Sequence, residues 1–477
     1  MFNKKSLLAL GLSVAMVSTT AAYAADKASL VSTNIFPNVS LKSVSNEALI
    51  NSVSDDQGVN IGGLGSDIYR IPGSDINEFY LITDRGPNND TTTPAKEAAT
   101  GFVVPSFSPI IMKVRLTDTG VEVLSTNAIT TKTGAGVTGL PNVKGYDAIP
   151  SDVKGITSDS LYNVNGLDTE GIVKLKNGNF WVVEEYAPSL VQLSSKGVVK
   201  NRFVPTSWAG KGSASKITKS IPEIFLKRKA NRGFEAIAVT PDEKTLFIGL
   251  QSPLLNPSSS VGNASLITRV LRFNILTKQF TGEFIFPFEK VSKVDPTSTK
   301  NSDLKLSAMV ALNSDTLLVQ ERTDNSFLVS TVKIKESSNI LGTKWDDIKT
   351  NPSLESLTPE STEISALVTS LEKKILFSSL DIAEMPKKIE GMSVLDAQHI
   401  LFINDNDFNF SYNSTTGKVD LGTTSTKLLK VKLAAPLPTF PDASIAHIGG
   451  KCVVPGSVTG NLICRTSSSG EFRWLNK

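Results

Sequence analysis

The side chains of this sequence that are best suited to chemistry are carboxylates that recur in one phrase. In each copy a Glu precedes Gly or Ala and an apolar residue, and an apolar strand that ends in acids or amides follows downstream. The leading acids are Glu170, Glu235 and Glu390. The strands that follow them end in Glu184 and Glu185, in Gln251, and in Asn404, Asp405, Asn406 and Asp407. Repeated units of this size cannot bury a core alone, so they stack and bring equivalent positions together.

Two weaker copies keep the strand but lack the leading Glu. Their strands end in Asp84-Arg85 and in Glu321-Arg322. If all the copies are equivalent, we expect their acids to converge at one place. Like charges at close range raise one another's pKa, and a bound cation would relieve that repulsion.

Calcium is the cation that this donor set favours, with magnesium as second choice, because Ca²⁺ takes six to eight oxygen ligands from carboxylates, amides and carbonyls. The expected metal ligands lie at strand ends and are Asp84, Glu321, Asn404, Asp405, Asn406 and Asp407. The expected catalytic carboxylates are Glu170, Glu184, Glu185, Glu235 and Glu390. The alternative is that each leading Glu binds backbone amides and locks adjacent units together.

Arginines recur beside these acids. Arg85 and Arg322 each directly follow a strand-end acid, and Arg232 lies shortly before Glu235. Guanidinium groups bind phosphate through two parallel hydrogen bonds, so we expect these arginines, together with Gln251, to bind substrate. Ion pairing with the neighbouring acids is the alternative.

Short strands must position these residues. Runs rich in β-branched and aromatic residues are bounded by Gly, Asn, Asp or Pro, as in Phe79–Thr83, Phe180–Val183, Thr245–Leu250, Thr316–Gln320 and His399–Asn404. Polar strand ends at repeated intervals favour an all-β propeller over a sandwich, and the chain length predicts six or seven blades of four antiparallel strands. The long interval between Asp84 and Glu184 is expected to hold a loop insertion or a degenerate blade. Apolar residues at helical spacing predict one short helix packed against the propeller, with Ile364, Leu367, Val368 and Leu371 on its apolar stripe.

The first 24 residues have the order of an export signal. The basic pair Lys4-Lys5 precedes an apolar run over residues 7–17, and Ala22-Tyr23-Ala24 matches the small-x-small pattern that a signal peptidase cuts. The run is well short of the roughly 20 residues that span a bilayer, which disfavours a retained transmembrane helix. We therefore expect residues 1–24 to be removed and residues 25–477 to form one exported propeller domain, periplasmic or extracellular, with no integral membrane segment after cleavage.

The cysteine and histidine content excludes several kinds of site. Cys452 and Cys464 lie close together near the C-terminus, and an oxidising compartment favours a disulfide between them over two buried thiols. The sequence has no other cysteine, and its two histidines, His399 and His447, lie in unrelated contexts. A Ser-His-Asp hydrolase and a histidine-based zinc site are therefore disfavoured.

The net charge gives no basis for nucleic-acid binding. The chain carries +3, and loss of residues 1–24 removes two lysines and no acid, which leaves about +1. Binding to nucleic acid usually requires a concentrated basic surface, and the short stretch Lys227-Arg228-Lys229 is typical of a solvated loop. Carboxylates must carry whatever chemistry the protein performs.

The recurring phrases, in this order, resemble the esterase-like phytase domain family of exported bacterial proteins. The resemblance covers about residues 61–408 and rests on Asp168–Ile172 with Phe180–Leu190, on Asn231–Ala238 with Leu250–Leu254, and on Lys388–Met392 with Asn404–Asp407. Ala236 departs from the Gly that is more typical after the leading Glu. The resemblance implies a phosphoesterase-type site at the candidate residues named above and a general architecture similar to that of calcium-dependent propeller phytases.

We therefore expect an exported, metal-dependent phosphoesterase that acts on phosphate mono- or diesters at an acidic, arginine-flanked channel mouth. The expected substrate is a small phosphorylated molecule, the expected cation is Ca²⁺, and the chain is expected to be a monomer. In the expected mechanism, Glu170 or Glu184 accepts the proton of the attacking water. Two alternatives remain open: a lactonase or other carboxylic ester hydrolase on the same metal site, and a non-catalytic binding propeller of the envelope.

Overall fold

Five of the sheets in the described part of this protein are arranged around a common axis. The computed structural model describes residues 27–41, 58–413, 416, 418–437, 439, 452, 456, 458–459, 462–468, 470 and 472–476. The expected export signal, residues 1–24, lies outside the described residues. Within the part of the chain that is described, no helix is long and apolar enough to cross a membrane.

Each of the five sheets is a propeller blade. From the centre of the ring outwards, blade 1 consists of Asp67–Tyr69, Glu78–Ile82, Ile110–Thr117 and Gly120–Ala128. In the same direction, blade 2 consists of Thr169–Lys174, Phe180–Glu184, Ser189–Leu193, Val199–Pro205 and Lys216–Ile221. Blade 3 consists of Phe234–Val239, Thr245–Leu250, Ile267–Asn274 and Gln279–Pro287. Blade 4 consists of Lys305–Ala311, Thr316–Arg322, Phe327–Lys333 and Lys374–Ser378. Blade 5 consists of Ile389–Val394, His399–Asn404, Lys427–Lys432 and Ser29–Ile35.

The inner strands close the ring. Each inner strand contacts the inner strand of the next blade, and that of blade 5 contacts that of blade 1. The outer strand of blade 5 comes from the N-terminal part of the chain, since Ser29–Ile35 pairs antiparallel with Lys427–Lys432. This pairing joins the two ends of the propeller, so both are needed to complete the last blade.

The all-β propeller class is confirmed, but the blade count differs from the predicted six or seven. Among the described residues five blades close the ring, and each contains one of the five predicted strand ends. The long interval between Asp84 and Glu184 holds an insertion rather than a degenerate blade. Besides the outer strands of blade 1, it contains a separate three-stranded sheet of Asn88–Thr92, Ala98–Phe102 and Ile149–Ser151. Chain length overestimated the count because insertions take up residues without adding blades.

The core is divided among the five interfaces between neighbouring blades, and each interface has its own apolar cluster. Between blades 2 and 3, the ring of the fully buried Trp181 lies 5.9 Å from Phe203 and 5.4 Å from Phe273. Burial of each such large apolar side chain contributes roughly 1.5–3 kcal/mol. Packing between blades therefore holds the inner strands at fixed positions around the axis.

Helices are short and lie in the connections. The α-helices are Ser259–Ala264, Val291–Val294 and Ser365–Thr369. The 3-10 turns are Leu64–Ser66, Asp159–Leu161, Glu223–Lys227, Asn301–Asp303, Glu336–Ser338, Lys344–Asp346, Leu354–Ser356, Ser379–Asp381 and Asp407–Asn409. The predicted amphipathic helix is present at Ser365–Thr369. Its apolar neighbour Ile364 is buried with Trp345 against the outer strands of blade 3, as predicted.

Two more small sheets of the described residues stand outside the blades. Phe410–Asn413 pairs with Lys418–Leu421 in a hairpin inserted in blade 5. Near the C-terminus, Val458–Thr459, Leu462–Thr466 and Phe472–Asn476 form a three-stranded sheet. The predicted disulfide between Cys452 and Cys464 is confirmed, with the two Cα atoms 5.7 Å apart.

Candidate functional site

Bulges in the inner strands position the leading acids. In blade 2, Gly171 pairs with Val183 and Thr169 pairs with Glu184, so Glu170 is an extra residue without a partner. A bulge of this kind redirects one side chain without breaking the sheet. The inner strands of blades 3, 4 and 5 shift register at the same point, and the extra residues there are Glu235, Ser307 and Glu390. The recurring phrase of the sequence is therefore a recurring bulge.

The small residue after each leading acid lets neighbouring inner strands approach. A Cβ on Gly171 would lie 2.9 Å from the backbone oxygen of Glu235, and one on Gly391 would lie 2.9 Å from the Cα of Asp67. Blade 3 has Ala236 at this position and keeps the same bulge. The departure from Gly at Ala236 thus leaves the geometry of the third blade unchanged.

These acids meet in a cavity at one end of the central channel, with a volume of about 430 Å³. Its wall is strongly polar and is built by residues from all five blades and their connections. It is lined by Ser66, Asp84, Arg85, Asn88, Asn89, Asp90, Asp168, Glu170, Glu185, Asn231, Arg232, Glu235, Gln251, Lys305, Arg322, Lys388, Glu390, Asp405, Asp407 and Phe410. The structure therefore brings together four of the five predicted catalytic carboxylates and all four predicted substrate-binding residues.

Glu170 lies at the centre of the carboxylate cluster. Together with Asp168 and Glu185 it forms one group of three carboxylates, and together with Glu235 and Glu390 it forms a second. Within each group, ligand oxygens lie within 4.8 Å of one another. Carboxylates this close cannot all be ionised without a compensating charge.

Burial and mutual repulsion raise the pKa values of this cluster. Burial, followed by repulsion from Glu235, raises the pKa of Glu170 and of Glu185 well above the ordinary value. Burial, followed by repulsion from Glu390, raises the pKa of Glu235 to about 7. The pKa of Asp405 is also raised well above its usual range, first by burial and then by Glu390. In the absence of a cation, these carboxyl groups therefore lose their protons less readily than ordinary Asp and Glu side chains.

The donor set fits a hard cation. The carboxylate groups supply only oxygen ligands, which suit Ca²⁺ or Mg²⁺ better than metals that select nitrogen or sulfur. The amide of Gln251 donates hydrogen bonds to Glu185 at 3.0 Å and to Glu235. Its own side-chain oxygen is buried and has no hydrogen-bond partner among the described residues. A buried oxygen without a donor is a group that a cation can satisfy.

Two of the three predicted arginines form ion pairs within the cavity. A guanidinium nitrogen of Arg85 lies 3.0 Å from Asp168, and the same side chain donates to Asn231. Arg322 pairs with Glu390 and lies 3.2 Å from Asp324. These two arginines therefore make the contacts of the alternative prediction, in which they pair with neighbouring acids.

Glu184 does not line the cavity, so its predicted catalytic role is corrected. It is fully buried on the other side of its strand end, where it pairs with Arg202 and accepts hydrogen bonds from Ser189 and from the backbone N–H of Tyr186. Adjacent residues at the end of a strand point to opposite faces, so only Glu185 of this pair reaches the cavity.

Glu321 was predicted to be a metal ligand, and this prediction is also corrected because Glu321 lies outside the cavity. Its carboxylate is fully buried, lies 2.8 Å from the ammonium of Lys373, and accepts a hydrogen bond from the backbone N–H of Glu289. The next residue, Arg322, faces the cavity instead. The alternation of side chains along a strand again separates the two neighbours.

Two amides of the predicted metal set also lie outside the cavity wall and join loops. Asn404 accepts a hydrogen bond from the backbone N–H of Lys427 at 2.7 Å. Asn406 accepts one from the backbone N–H of Gly63 at 3.2 Å. Of this segment, only the carboxylates Asp405 and Asp407 line the cavity, as does the predicted ligand Asp84.

The backbone after Asp405 is held in an uncommon conformation. Asp407, Phe408 and Asn409 have φ values of 47°, 57° and 51°, all in the left-handed region. This region costs roughly 1–2 kcal/mol per residue other than glycine. Burial of Phe408 against Phe107, with ring centroids 5.5 Å apart, contributes to holding the turn. Such strain is typical of ligand sites and directs Asp407 to the cavity.

Nine cavity-lining residues were not identified from the sequence, and three of them are charged residues beside or within the inner strands. Asp168 lies two residues before Glu170 in the recurring phrase, so its closeness to a leading acid could have identified it as a cavity residue. Lys305 begins the inner strand of blade 4, which lacks a leading Glu, and Lys388 precedes the inner strand of blade 5 and pairs with Asp407. Nothing local distinguishes these two lysines from those on the surface.

Comparison with protein families identifies the relatives of this chain. The family model described as "Phytase-like: Esterase-like activity of phytase" matches residues 59–408. The chain belongs to this phytase-like family. The matched segment includes every cavity-lining residue except Phe410. The segment that matches the family therefore builds nearly all of the cavity wall.

One curated relative is an uncharacterized secreted protein of Arthroderma benhamiae. It is 29% identical over 158 residues, which cover 30% of this chain and 30% of that protein. The chain therefore matches less than a third of the length of this relative.

Solved structures show more distant similarity. A luciferin-regenerating enzyme has a TM-score of 0.31 at 8% identity and covers 80% of this chain and 95% of its own. Streptogramin B lyase has a TM-score of 0.27 at 10% identity and covers 75% of this chain and 98% of its own. A protein from Lactobacillus plantarum has a TM-score of 0.28 at 11% identity and covers 76% of this chain and 70% of its own. At these scores the similarity carries no argument about function.

Proposed function

We propose that this protein is an exported phosphoesterase that requires a divalent cation, with calcium as first choice and magnesium as second. The proposal rests on the position of Glu170, which belongs to both groups of three carboxylates in a cavity that also contains arginine. The disulfide and the secreted relative support export. Membership of a phytase-like family supports phosphate esters as the substrate class.

The residues that would hold the cation are the carboxylates of the two groups, Asp168, Glu170, Glu185, Glu235 and Glu390. The buried oxygen of Gln251 would add a neutral ligand. When bound, a calcium ion would polarise the phosphoryl group and lower the pKa of a neighbouring water molecule.

The protein's own residues would bind and orient the ester. Arg232 and Arg85 line the cavity and offer guanidinium donors that match phosphate oxygens. A carboxylate at the centre of the cluster, Glu170, accepts the proton of the attacking water. The water oxygen bonds to phosphorus as the P–O bond to the alcohol breaks. The alcohol leaves with the proton that Glu170 accepted, and inorganic phosphate or a phosphomonoester is left in the cavity. Glu184 has no part in this scheme because Arg202 holds it outside the cavity.

The decisive experiment is a hydrolysis assay with purified protein treated with a chelator and then supplied with Ca²⁺ or Mg²⁺. We expect release of the alcohol from a chromogenic phosphomonoester or phosphodiester only when a divalent cation is present.

Other outcomes identify the rival functions. Release of carboxylate from an aryl ester or lactone, without phosphate release, contradicts the phosphoesterase and indicates a carboxylic ester hydrolase. Inertness towards all these substrates, with a melting temperature that does not respond to cations, indicates a non-catalytic binding propeller.

A further inference from the structure

The cavity wall formed by blades 3 and 4 carries three cations close together. Lys305 and Arg322 are direct register partners on adjacent antiparallel strands of blade 4. Like charges that lie directly opposite each other destabilise a sheet. Arg232 reaches the same cavity from the loop before the inner strand of blade 3. This juxtaposition requires an anion to offset it.

Asp324 offsets the charge of the register pair from outside the cavity wall. One of its oxygens lies 2.8 Å from the Lys305 ammonium and 3.2 Å from the Arg322 guanidinium. Its side chain is 56% exposed, although both cations are largely buried. Burial opposes ionisation of Asp324, but the interactions with Lys305 and Arg322 prevail and lower its pKa to about 2. One exposed carboxylate therefore serves both cations, and Arg322 also pairs with Glu390 and lies 3.6 Å from Glu235.

Arg232 has no such partner. Its guanidinium donates to the Ser252 hydroxyl at 3.0 Å and to the Ser302 carbonyl at 3.3 Å. Among the described residues no carboxylate lies within ion-pair distance of Arg232, whereas the other four cations that line the cavity each pair with an acid. A guanidinium has five N–H donors, so these two contacts leave donors available to a ligand.

We propose that Arg232, Lys305 and Arg322 form a subsite for a phosphate-like oxyanion, and that Asp324 is an internal anion which the ligand displaces from the two cations of blade 4. The inference deepens the proposed function, because it assigns one anionic group of the substrate to the wall between blades 3 and 4. The incoming oxyanion takes the contacts of Asp324 with Lys305 and Arg322, and the exposed side chain of Asp324 turns to solvent.

The test measures the binding of inorganic phosphate by calorimetry, with full-length mature protein in chelator-treated buffer. We expect Asp324→Asn to bind phosphate about fivefold more tightly than wild type, because one competing charge is removed near the ligand. Arg232→Gln is expected to bind about tenfold more weakly, because a charge-assisted hydrogen bond is lost. Asp381→Asn is the matched control, since it removes a charge from an exposed pair with Lys27 beyond the outer strand of blade 4, and wild-type affinity is expected.

Several results would overturn the inference. They are an absence of phosphate binding by wild type, an unchanged or weaker affinity of Asp324→Asn, or an unchanged affinity of Arg232→Gln. Melting curves of each variant separate loss of fold from loss of binding. If phosphate binds as expected but no ester is hydrolysed with any cation, the proposed function fails and the anion subsite stands.

Discussion

Two groups of buried charges in this protein have opposite characters. In blade 3, Arg269 lies 2.6 Å from Glu283 and 2.8 Å from Glu355, and also donates to the carbonyl of Trp345. All three charged side chains are at most 1% exposed. In the cavity, by contrast, the acids around Glu170 outnumber the cations and line an open space.

The difference shows how burial and charge balance distinguish the acids of these two clusters. Burial, only partly offset by Arg269, raises the pKa of Glu283 to about 8, so at neutral pH this group is mostly uncharged. The Arg269 guanidinium pairs with Glu355 and lies 4.0 Å from Asp346, and the cluster joins the segment around Trp345 to blade 3 without any ligand. The cavity cluster has no comparable internal balance, so we expect it to respond to an added cation.

The largest expected effect is on activity. Glu170→Gln keeps the shape of the side chain but removes its charge and its ability to accept a proton, so hydrolysis should fall by about a thousandfold. The circular dichroism spectrum and melting temperature should remain close to those of wild type. A protein that no longer folds would show instead that Glu170 is structural.

Glu184→Gln is the matched control for this change, because it alters a carboxylate of the same blade that faces away from the cavity. It leaves Arg202 buried without its ion-pair partner, so unfolding free energy should fall by about 3–5 kcal/mol. Activity per folded molecule should be retained, and a selective loss of activity would return Glu184 to the catalytic set.

Arg269→Met tests whether the Arg269 cluster of blade 3 contributes to stability alone. The change leaves Glu283 and Glu355 buried without their cation, and it should lower the unfolding free energy by about 3–5 kcal/mol. Denaturant unfolding measures the loss. Calcium affinity of the folded fraction should not change, and a large drop in that affinity would contradict the separation of the two clusters.

Calcium should stabilise the folded protein through the cavity cluster and not through the Arg269 cluster. At a concentration one hundred times its Kd, a ligand that binds only the folded state adds about 2.7 kcal/mol to the unfolding free energy. We expect this gain, followed as a rise in melting temperature, for wild type and for Arg269→Met. The double variant Glu235→Gln, Glu390→Gln should show little of it, and an equal rise in that variant would place the cation elsewhere.

The last expected effect is a pH dependence that Glu283 confers. Its pKa is about 8 in the folded protein, above its ordinary value of 4.5. The contribution of this group to stability is therefore fully present below its unfolded pKa and is lost as pH rises through about 8. The unfolding free energy of wild type, relative to that of Glu283→Gln, should thus decrease as pH increases from 5 to 8.5. A constant difference would show that Glu283 is already ionised at neutral pH.

Much of the fold was predictable because repeated local patterns require repeated local structure. The propeller class followed from polar strand ends at repeated intervals, and each of the five blades contains one of them. The convergence of Glu170, Glu235 and Glu390 followed from their equivalent places in the phrase. Pairing of Cys452 with Cys464 was also predicted, and it is confirmed.

The blade count was not predictable from length, since the insertion between Asp84 and Glu184 adds residues but no blade. The sequence also did not reveal which residue of the pair Glu184 and Glu185 faces the cavity. The same was true of Glu321 and Arg322. In each pair the two neighbours point to opposite faces, and the register of the strand end decides which of them meets the cavity. No composition or motif encodes that register.

By itself, the sequence determined that carboxylates from equivalent strands would come together and that arginines would accompany them. Only the tertiary structure decided which charges face the cavity and which pair with one another in the interior. The bulge at Glu170, the closure of the ring by Ser29–Ile35, and the meeting of Lys305 with Arg322 and Arg232 all depend on contacts between residues distant in the chain. Such contacts form only when the blades pack together, because packing between blades, not local preference, sets the distances between their inner strands.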